Sequence, residues 1–546
     1  MNSAIRSLVV NEEFSISQVI DEFNRSDGDL LLLDSRTVLS EPHIELLTDY
    51  PRKASAALVV VQKNGNTLSR QNRVASASST SHRVTIGNRD FVGALLLSRF
   101  NKLEISEILL KAASAGAKGH AIDLILVALV RAAIRVDAVD IWGAPYSRSD
   151  DPNEREAVKN EIAKMNIERV RLSMANRAND GFFSVFVLRK FSKILTWIAV
   201  RIGATPNQVT LLSFAIGLYS AYLFSRGEFA AILIGALLLQ LSIMVDCVDG
   251  ELARYTRKFS SLGAWLDAVT DRVKEYLVFF GLAYGAAREG KDLWLPAILM
   301  MLIQTFRHLS DYNFAQSVKT RNEELLKVRI DFMADFDGII PSERLPKGRL
   351  RYWLGKIIQF PIGERWLVIS ATAVIGGATL TFAAMPIFAL ISAIVVYRGR
   401  IIRTKKMEKT RLTSNLIINQ LDLLGIKKTL FTRSSWIEPS VWVAIEGLIL
   451  ISIFASQGFI GANSFLLLFA IVFHHYDALY RALQNEKKPI WLQVAGLYLG
   501  GRVLVIGILL LLGLSSAIAT WYFTLLFVFL ASGQWVLSHK QNKVSE

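Results

Sequence analysis

The sequence predicts a polytopic α-helical membrane protein of about ten spans that follows an N-terminal soluble α/β domain. The first observation is composition: of 546 residues, 52% are hydrophobic and 20% are charged, and the mean hydropathy is +0.35. Soluble globular chains are about 45–50% apolar and about 25% charged. The second observation is distribution, because membrane-length apolar runs begin only after about residue 190. The single cysteine, Cys247, excludes an internal disulfide and a disulfide-stabilised scaffold.

The N-terminal part, residues 1–185, alternates short apolar runs with amphipathic stretches. The runs include DLLLLD at 29–34 and AALVVVQ at 56–62. This alternation is typical of strands and helices in turn, and the length suits one α/β domain. The segment 185–198 then mixes three basic residues with aromatic and aliphatic ones. It fits either an interfacial amphipathic helix or the last helix of the soluble domain.

Ten later segments approach the roughly 20 apolar residues that a bilayer crossing needs. The first six form a predicted membrane core at 186–405, a basic linker covers 406–436, and the last four form a second membrane domain at 437–546. The ten predicted spans are 208–224, 228–247, 263–287, 293–314, 365–380, 383–400, 437–456, 461–481, 490–512 and 516–537.

The charge distribution predicts the orientation of these spans. A net charge of +15 would suggest a nucleic-acid partner in a soluble protein, whereas in a membrane protein it marks cytoplasmic loops. With the N-terminus inside, basic residues occupy the inner connectors, including the long 315–364 loop, while SRGE at 225–228 and AAMP at 383–386 face outward. The first 16 residues lack a signal-peptide core. We expect a bacterial inner-membrane protein with both termini cytoplasmic, in contact with the lipid bilayer and not with nucleic acid.

Four aspartates lie at the cytoplasmic ends of the second and third predicted spans. Asp246 and Asp249 are three residues apart and Asp267 and Asp271 are four apart, so each pair shares one face of a helix. Antiparallel spans joined by a short loop bring the two faces together. Converging carboxylates need compensating positive charge, and Mg²⁺ or Mn²⁺ prefers oxygen ligands and bridges them to phosphates. The pattern therefore predicts a cytoplasmic site for one or two such ions.

Small residues and an arginine accompany the acids. Gly250 and Ala253 leave room for a ligand, and Arg254 can bind phosphate oxygens with two nitrogens. The whole stretch reads Asp-x2-Asp-Gly-x2-Ala-Arg-x8-Gly-x3-Asp-x3-Asp. It resembles the signature of the CDP-alcohol phosphotransferase family and matches it at every specified position.

The resemblance covers about residues 190–405 and implies a six-helix core. It also implies transfer of a phosphoalcohol from a CDP-activated donor to a hydroxyl acceptor, with release of CMP, two metal ions and a homodimer. Asp246, Asp249 and Asp267 are expected to bind metal, and Asp271 to contact metal and accept the acceptor's proton. The expected contacts of the donor nucleotide and diphosphate are Asn207, Thr210, Gly250, Ala253, Arg254, Ser260 and Gly263.

Other charged residues near the acids have two interpretations. Arg307 and Asp311, at the end of the fourth span, are candidates for binding the acceptor's phosphate, but charged residues at helix ends also snorkel. Arg272 and Lys274 either balance the acids or hold an acceptor.

The flanking domains carry weaker signals. The N-terminal domain resembles the later part of sugar-nucleotidyltransferase domains in the strand ending at Asp34, in Phe91 to Phe100 and in Asn-Asp-Gly at 179–181. It lacks their glycine-rich nucleotide loop, so we favour a non-catalytic domain over an active one. The last four spans resemble an extension, without assigned function, of some actinobacterial relatives. There Asp477 is expected to pair with Arg481 or Arg502, and the adjacent His474 and His475 not to share a ligand.

Three functions are consistent with the sequence. The first is a phospholipid-synthesis enzyme that uses CDP-diacylglycerol and an acceptor such as inositol phosphate or glycerol phosphate. The second is an inositol-phosphodiester synthase that uses CDP-inositol. The third, from another class, is a membrane transporter or a scaffold, because ten spans with buried charges are common among transporters.

Overall fold

The computed structural model describes residues 5–50, 52–176, 181–325, 329–333, 349–406, 420, 434–484, 486, 488–512 and 516–545. The chain forms two compact units. The first comprises Met1–Asn176 with Lys319–Leu345, and the second comprises Arg177–Val318 with Pro346–Glu546. The predicted boundary at 185 therefore differs from the observed division, and part of the 315–364 loop belongs to the first unit.

The first unit is an α/β domain, as predicted. Its strands are β1 (Arg6–Val10), β2 (Leu30–Asp34), β3 (Thr37–Val38), β4 (Ser55–Val61), β5 (Thr67–Arg70), β6 (Arg73–Ala77), β7 (Arg89–Leu97), β8 (Val136–Asp140) and β9 (Ser147–Arg148). Its helices are α1 (Ile16–Arg25), α2 (Glu41–Thr48), α3 (Lys102–Ser114), α4 (Ala121–Arg131), α5 (Pro152–Ala163) and α6 (Ile167–Ala175).

Seven of the described strands form one mixed sheet in the order β1-β2-β7-β4-β8-β6-β5. Strand β2 pairs in parallel with β1 and antiparallel with β7. Leu30 and Leu32 point into the core that contains α1, α3 and α4, whereas Leu31 points into the core that contains α2 and α6. A strand buried on both faces reads as a continuous apolar run, which explains DLLLLD.

The second unit is helical. It begins with a π-helical turn (Ser184–Leu188) and continues through α7 (Arg189–Arg201), α8 (Pro206–Arg226), α9 (Phe229–Thr256), α10 (Ser261–Arg288), α11 (Trp294–Leu325, of which the part up to Val318 belongs to this unit), α12 (Arg349–Ile358) and α13 (Ile362–Lys406). Its C-terminal part contains α14 (Glu438–Ser456), α15 (Ala462–Leu483), α16 (Ile490–Ala495), α17 (Tyr498–Leu511), α18 (Ser516–Phe523), a π-helical segment (Thr524–Leu530) and α19 (Ala531–Ser545).

Seven helical segments among the described residues are long and apolar enough to cross a membrane. They include α8, α9, α13, α14 and α15, and two further segments at Ile490–Leu511 and Ser516–Ser538. The predicted third and fourth spans correspond to α10 and α11, which are long but carry many charges and fall outside this group. The count of ten spans therefore stays a prediction.

Helix α13 contains the fifth and sixth predicted spans as a hairpin. The backbone is non-helical at Gly376 and Gly377, and φ is 66° at Gly377. The hydroxyl oxygens of Thr372 and Thr381 lie 3.1 Å apart, whereas nine residues of straight helix would separate them by about 13 Å. The predicted connector at 383–386 is wrong, because those residues are helical. The chain reverses at Gly377 instead, since glycine readily adopts the left-handed conformation that this turn needs.

Helix α7 belongs to the second unit and not to the soluble domain. Its buried side is tied to Glu251 of α9: Arg189 Nη1 donates at 2.6 Å, and the hydroxyls of Ser192 and Thr196 donate at 2.7 and 2.6 Å. Its opposite side exposes apolar residues such as Ile194. The interpretation as the last helix of the soluble domain is therefore wrong, and an amphipathic interfacial helix is favoured.

Candidate active site

Helices α8, α9 and α10 bring the predicted site residues together. Helix α8 begins with a capping box, in which Thr205 and Gln208 bond each other's backbone amides around Pro206. Helix α9 ends at Arg257, which adopts the left-handed conformation, and Ser260 caps α10 by accepting from the Gly263 amide at 2.9 Å. The tight connection places the end of α9 beside the start of α10.

Three of the four aspartates converge. Asp246, Asp267 and Asp271 each present a carboxylate oxygen within 4.8 Å of the others. Asp249 lies outside this group and is buried, and its Oδ2 accepts a 2.5 Å hydrogen bond from the Thr210 hydroxyl. Thr210, predicted to contact the donor, thus contacts a predicted metal ligand in this structure.

A buried lysine lies between two of these carboxylates. Lys274 Nζ is 2.6 Å from Asp246 Oδ1 and 3.1 Å from Asp271 Oδ1, and it also donates to Ser213 Oγ at 2.9 Å. Of the two interpretations of Lys274, the structure supports balancing of the acids. One ammonium opposite three carboxylates leaves a net negative charge with oxygen ligands, which suits a divalent cation such as Mg²⁺ or Mn²⁺.

The acids open onto a cavity of about 380 Å³. All four aspartates line it, together with Gly250 and Arg254. Lys356 and Gln359, which the sequence did not indicate, contribute a further cation and an amide. The predicted metal-binding residues therefore share one cavity with part of the predicted donor-binding set.

The remaining predicted donor contacts surround the start of α10. A Cβ atom at Gly263 would lie 2.8 Å from both Asn207 Oδ1 and Ser260 Oγ, so this position has no space for a larger residue. A Cβ atom at Gly250 would lie 3.2 Å from Arg254 Nη1. Ala253 is half-buried on α9.

The two predicted acceptor-binding residues do not line this cavity. Arg307 donates to the Gln359 carbonyl and lies 3.9 Å from Asp311, and Asp311 also pairs with Arg400. These contacts join α11 to the residue that follows α12 and to α13.

A second buried charge cluster lies beside the acidic group, because Arg272 Nη2 is also 3.8 Å from Asp271 Oδ2. Glu275 accepts from Arg272 Nη1 at 3.0 Å and from Arg365 Nε and Nη2 at 2.9 and 3.0 Å. His308 receives a 2.9 Å hydrogen bond from Arg272 through Nε2. Sequence reasoning missed Arg365, although ionised residues inside apolar spans were an available signal.

The C-terminal helices carry their own buried ion pairs. Asp477 pairs with Arg481 at 2.8 Å, as expected. Arg502 instead pairs with Glu446 at 2.7 Å, and Glu446 also contacts His475 at 2.6 Å. His474 stacks on Phe527, so the two histidines point to different partners.

In the first unit, Asp34 is surrounded by arginines. Arg148 Nη2 lies 2.7 Å and Arg36 Nη2 2.9 Å from Asp34 Oδ2, and Arg148 also pairs with Asp123. Burial alone would raise the pKa of Asp34, but the Arg36 hydrogen bonds and the Arg148 charge lower that pKa to about 2. Of the other points of likeness, Phe91 to Phe100 contains most of β7, and residues 179 and 180 lie outside the described residues.

Comparisons with known proteins agree with the geometry. Residues 203–333 match the CDP-alcohol phosphatidyltransferase family model, and residues 365–538 match a family of unknown function. Proteins named bifunctional IPC transferase and DIPP synthase are 31% identical over 150 residues in Aquifex aeolicus and 35% over 172 residues in Rubrobacter xylanophilus. A phosphatidylinositol phosphate synthase from Streptomyces avermitilis is 37% identical over 127 residues.

These matches cover 27%, 31% and 23% of this chain, and 32%, 37% and 49% of the three relatives. The region that matches the family model, residues 203–333, includes every residue of the acidic motif. Residues 203–333 of this chain are therefore similar to the CDP-alcohol phosphatidyltransferase family of enzymes.

Proposed function

We propose that this chain transfers a phosphoalcohol group from a CDP-activated donor to a hydroxyl acceptor and releases CMP. The supporting observation is the convergence of Asp246, Asp267 and Asp271 in a cavity that also contains Arg254. The family match favours this enzyme over the transporter and scaffold alternatives.

Each side chain has a role in the proposed reaction. Asp246, Asp249, Asp267 and Asp271 would hold two divalent cations, which would neutralise the negative charge of the donor diphosphate. Arg254 donates hydrogen bonds to diphosphate oxygens. Asp271 accepts the proton of the acceptor hydroxyl while the oxygen of that hydroxyl bonds to the phosphorus of the transferred group. The bond between that phosphorus and the bridging oxygen breaks, and CMP leaves with the electron pair.

For the donor we propose CDP-diacylglycerol. In the first unit the Asp34 carboxylate is neutralised by Arg36 and Arg148, which supports a non-catalytic domain that does not make a soluble CDP-alcohol. A relative named phosphatidylinositol phosphate synthase is consistent with this donor and with inositol phosphate as acceptor. The alternative donor, CDP-inositol, is favoured by the relatives named IPC transferase and DIPP synthase.

We also propose that the protein is a homodimer in a bacterial inner membrane, with its termini and active site in the cytoplasm. The basic residues of the inner connectors support this orientation. Accessibility of single cysteines introduced at residues 226 and 258 would test it, because only the second should react from the cytoplasmic side.

The decisive experiment measures CMP release by the purified protein with Mg²⁺ or Mn²⁺. CDP-diacylglycerol and CDP-inositol are offered separately against alcohols and alcohol phosphates, with Asp271→Asn as the blank. Release with the lipid donor alone supports phospholipid synthesis, and release with CDP-inositol alone supports the alternative. No release with either donor would contradict the proposed function.

A further inference from the structure

Helix α10 has two functional faces. At about 100° per residue, Trp265 and Tyr276 lie within about 20° of each other. Asp267 and Asp271 lie about 200° and 240° from Trp265, on the opposite side of the helix. One face therefore presents the carboxylates, and the other is free to contact a neighbouring helix.

That neighbour is α15, from the part of the chain that matches a family of unknown function. The Trp265 indole N–H donates to Asp477 Oδ1 at 3.3 Å. Asp477 is fixed by Arg481, which also donates to Gln534 at 2.8 Å and to the Ala531 carbonyl at 2.9 Å. Asp477 and Arg481 are fully buried, so this connection is shielded from competing water.

A second connection lies three turns further along α10. The Tyr476 hydroxyl is 2.9 Å from the Tyr276 hydroxyl and 2.9 Å from His308 Nδ1. The His308 ring also lies against Arg272, whose Nη1 is 2.9 Å from His308 Nε2 and 3.3 Å from His308 Nδ1. Tyr476 on α15 therefore contacts both Tyr276 on α10 and His308 on α11.

We propose that Tyr476 and Asp477 are positioning residues that fix the rotation of α10 about its axis and thereby place Asp267 and Asp271 for metal binding. The C-terminal helices would then be part of the working transferase and not an independent domain. A rotation of about 10° moves a side-chain tip by about 1 Å. Metal–ligand distances tolerate only about 0.2 Å, so two connections on one face suffice to control the site on the other.

This inference rests on the proposed function, but its test does not require turnover. Mn²⁺ binding to the purified full-length protein is titrated by electron paramagnetic resonance, without substrate. Tyr476→Phe removes one hydroxyl and keeps the ring, and Trp265→Phe removes the indole N–H together with the five-membered ring that carries it. The matched control is Tyr522→Phe, because Tyr522 lies in the C-terminal helices and donates to the Ala495 carbonyl instead of to α10.

We expect each of the two variants to bind Mn²⁺ about tenfold more weakly, which is typical for residues that orient metal ligands. Tyr522→Phe should bind as the wild type does, and thermal unfolding should separate the variants by only a few degrees. Where CMP release is measurable, the Mg²⁺ concentration for half-maximal rate should rise in the same two variants.

Unchanged Mn²⁺ binding in both Tyr476→Phe and Trp265→Phe would overturn the inference, as would an equal loss in Tyr522→Phe. Absence of Mn²⁺ binding in the wild type would also overturn it. Wild-type Mn²⁺ binding that weakens as expected, without CMP release from any donor, would support the inference and contradict only the proposed reaction.

Discussion

The ammonium of Lys274 lies 2.6 Å from Asp246 Oδ1 and bridges α10 to α9 inside the acidic cluster. The lysine is fully buried, and its stem passes over Gly217 of α8, where an added Cβ atom would lie 2.7 Å from Lys274 Cδ. Three helices are thus fitted around one cation. A permanent positive charge of this kind lets carboxylates approach one another before any metal binds.

Replacing Lys274 with methionine should destabilise the metal-free protein by about 3–5 kcal/mol, because the facing carboxylates lose their buried partner. Added Mg²⁺ should recover more stability in this variant than in the wild type, since it would compensate the same charges. Thermal unfolding in detergent with and without Mg²⁺ measures both effects. Lys291→Met, at an exposed pair with Glu289, is the control and should show neither. Equal unfolding temperatures for wild type and Lys274→Met would contradict the assigned role.

Asp271→Asn should reduce CMP release by at least about 10²-fold, because the amide cannot accept the acceptor's proton. The protein should fold and retain donor binding, measured by equilibrium dialysis of the CDP-activated donor. Turnover within a few-fold of the wild-type rate would show that another group is the base.

Arg254→Lys should raise the KM for the donor while leaving the unfolding temperature unchanged. Lysine keeps the charge but cannot donate two parallel hydrogen bonds to a diphosphate. Initial rates of CMP release at varied donor concentration measure the effect, and an unaltered KM would count against a diphosphate contact.

Gly263→Ala should reduce activity by about tenfold or more, because the new methyl group would displace Asn207 or Ser260 at the start of α10. Gly399→Ala is the matched control, since its added Cβ atom would meet nothing within 4 Å. Activity and unfolding temperature should be measured for both variants. Similar losses in the two would show that glycine flexibility, and not space at the site, is responsible.

Asp34→Asn should lower the free energy of unfolding of the first unit at neutral pH. It should also make that free energy depend less on pH in the acid range. The folded pKa of about 2 is below the ordinary value of 3.8, so the carboxylate stabilises the fold above about pH 4 and loses this effect as the pH falls toward 2. The contribution is about 2 kcal/mol. Protection of β2 amides from hydrogen exchange, corrected for the intrinsic pH dependence, measures it. Asp27→Asn, at an exposed position, should show the same pH dependence of amide protection as the wild type. If Asp34→Asn also showed the wild-type pH dependence, the prediction would be refuted.

The acidic motif was predictable because its residues share faces of two consecutive helices, and helical spacing alone fixes such faces. The contacts between different spans were not predictable in this way. Arg502 was one of two expected partners of Asp477 but contacts Glu446, because the rotation of one span against another depends on packing that no local pattern encodes. The turn inside α13 shows the same limit: the connector was predicted at 383–386, but the left-handed glycine at 377 provides the turn.

Trp265 and Asp477 are 212 residues apart in the chain. At a synthesis rate of about 5–20 residues per second, α10 leaves the ribosome about 10–40 s before α15 exists. Until then the Trp265 indole N–H lacks this partner, and the carboxylate-bearing helix is held only by the spans already inserted. Completion of the site is thus tied to completion of translation, so a nascent chain that stops before α15 would contain the whole acidic motif without its distal support.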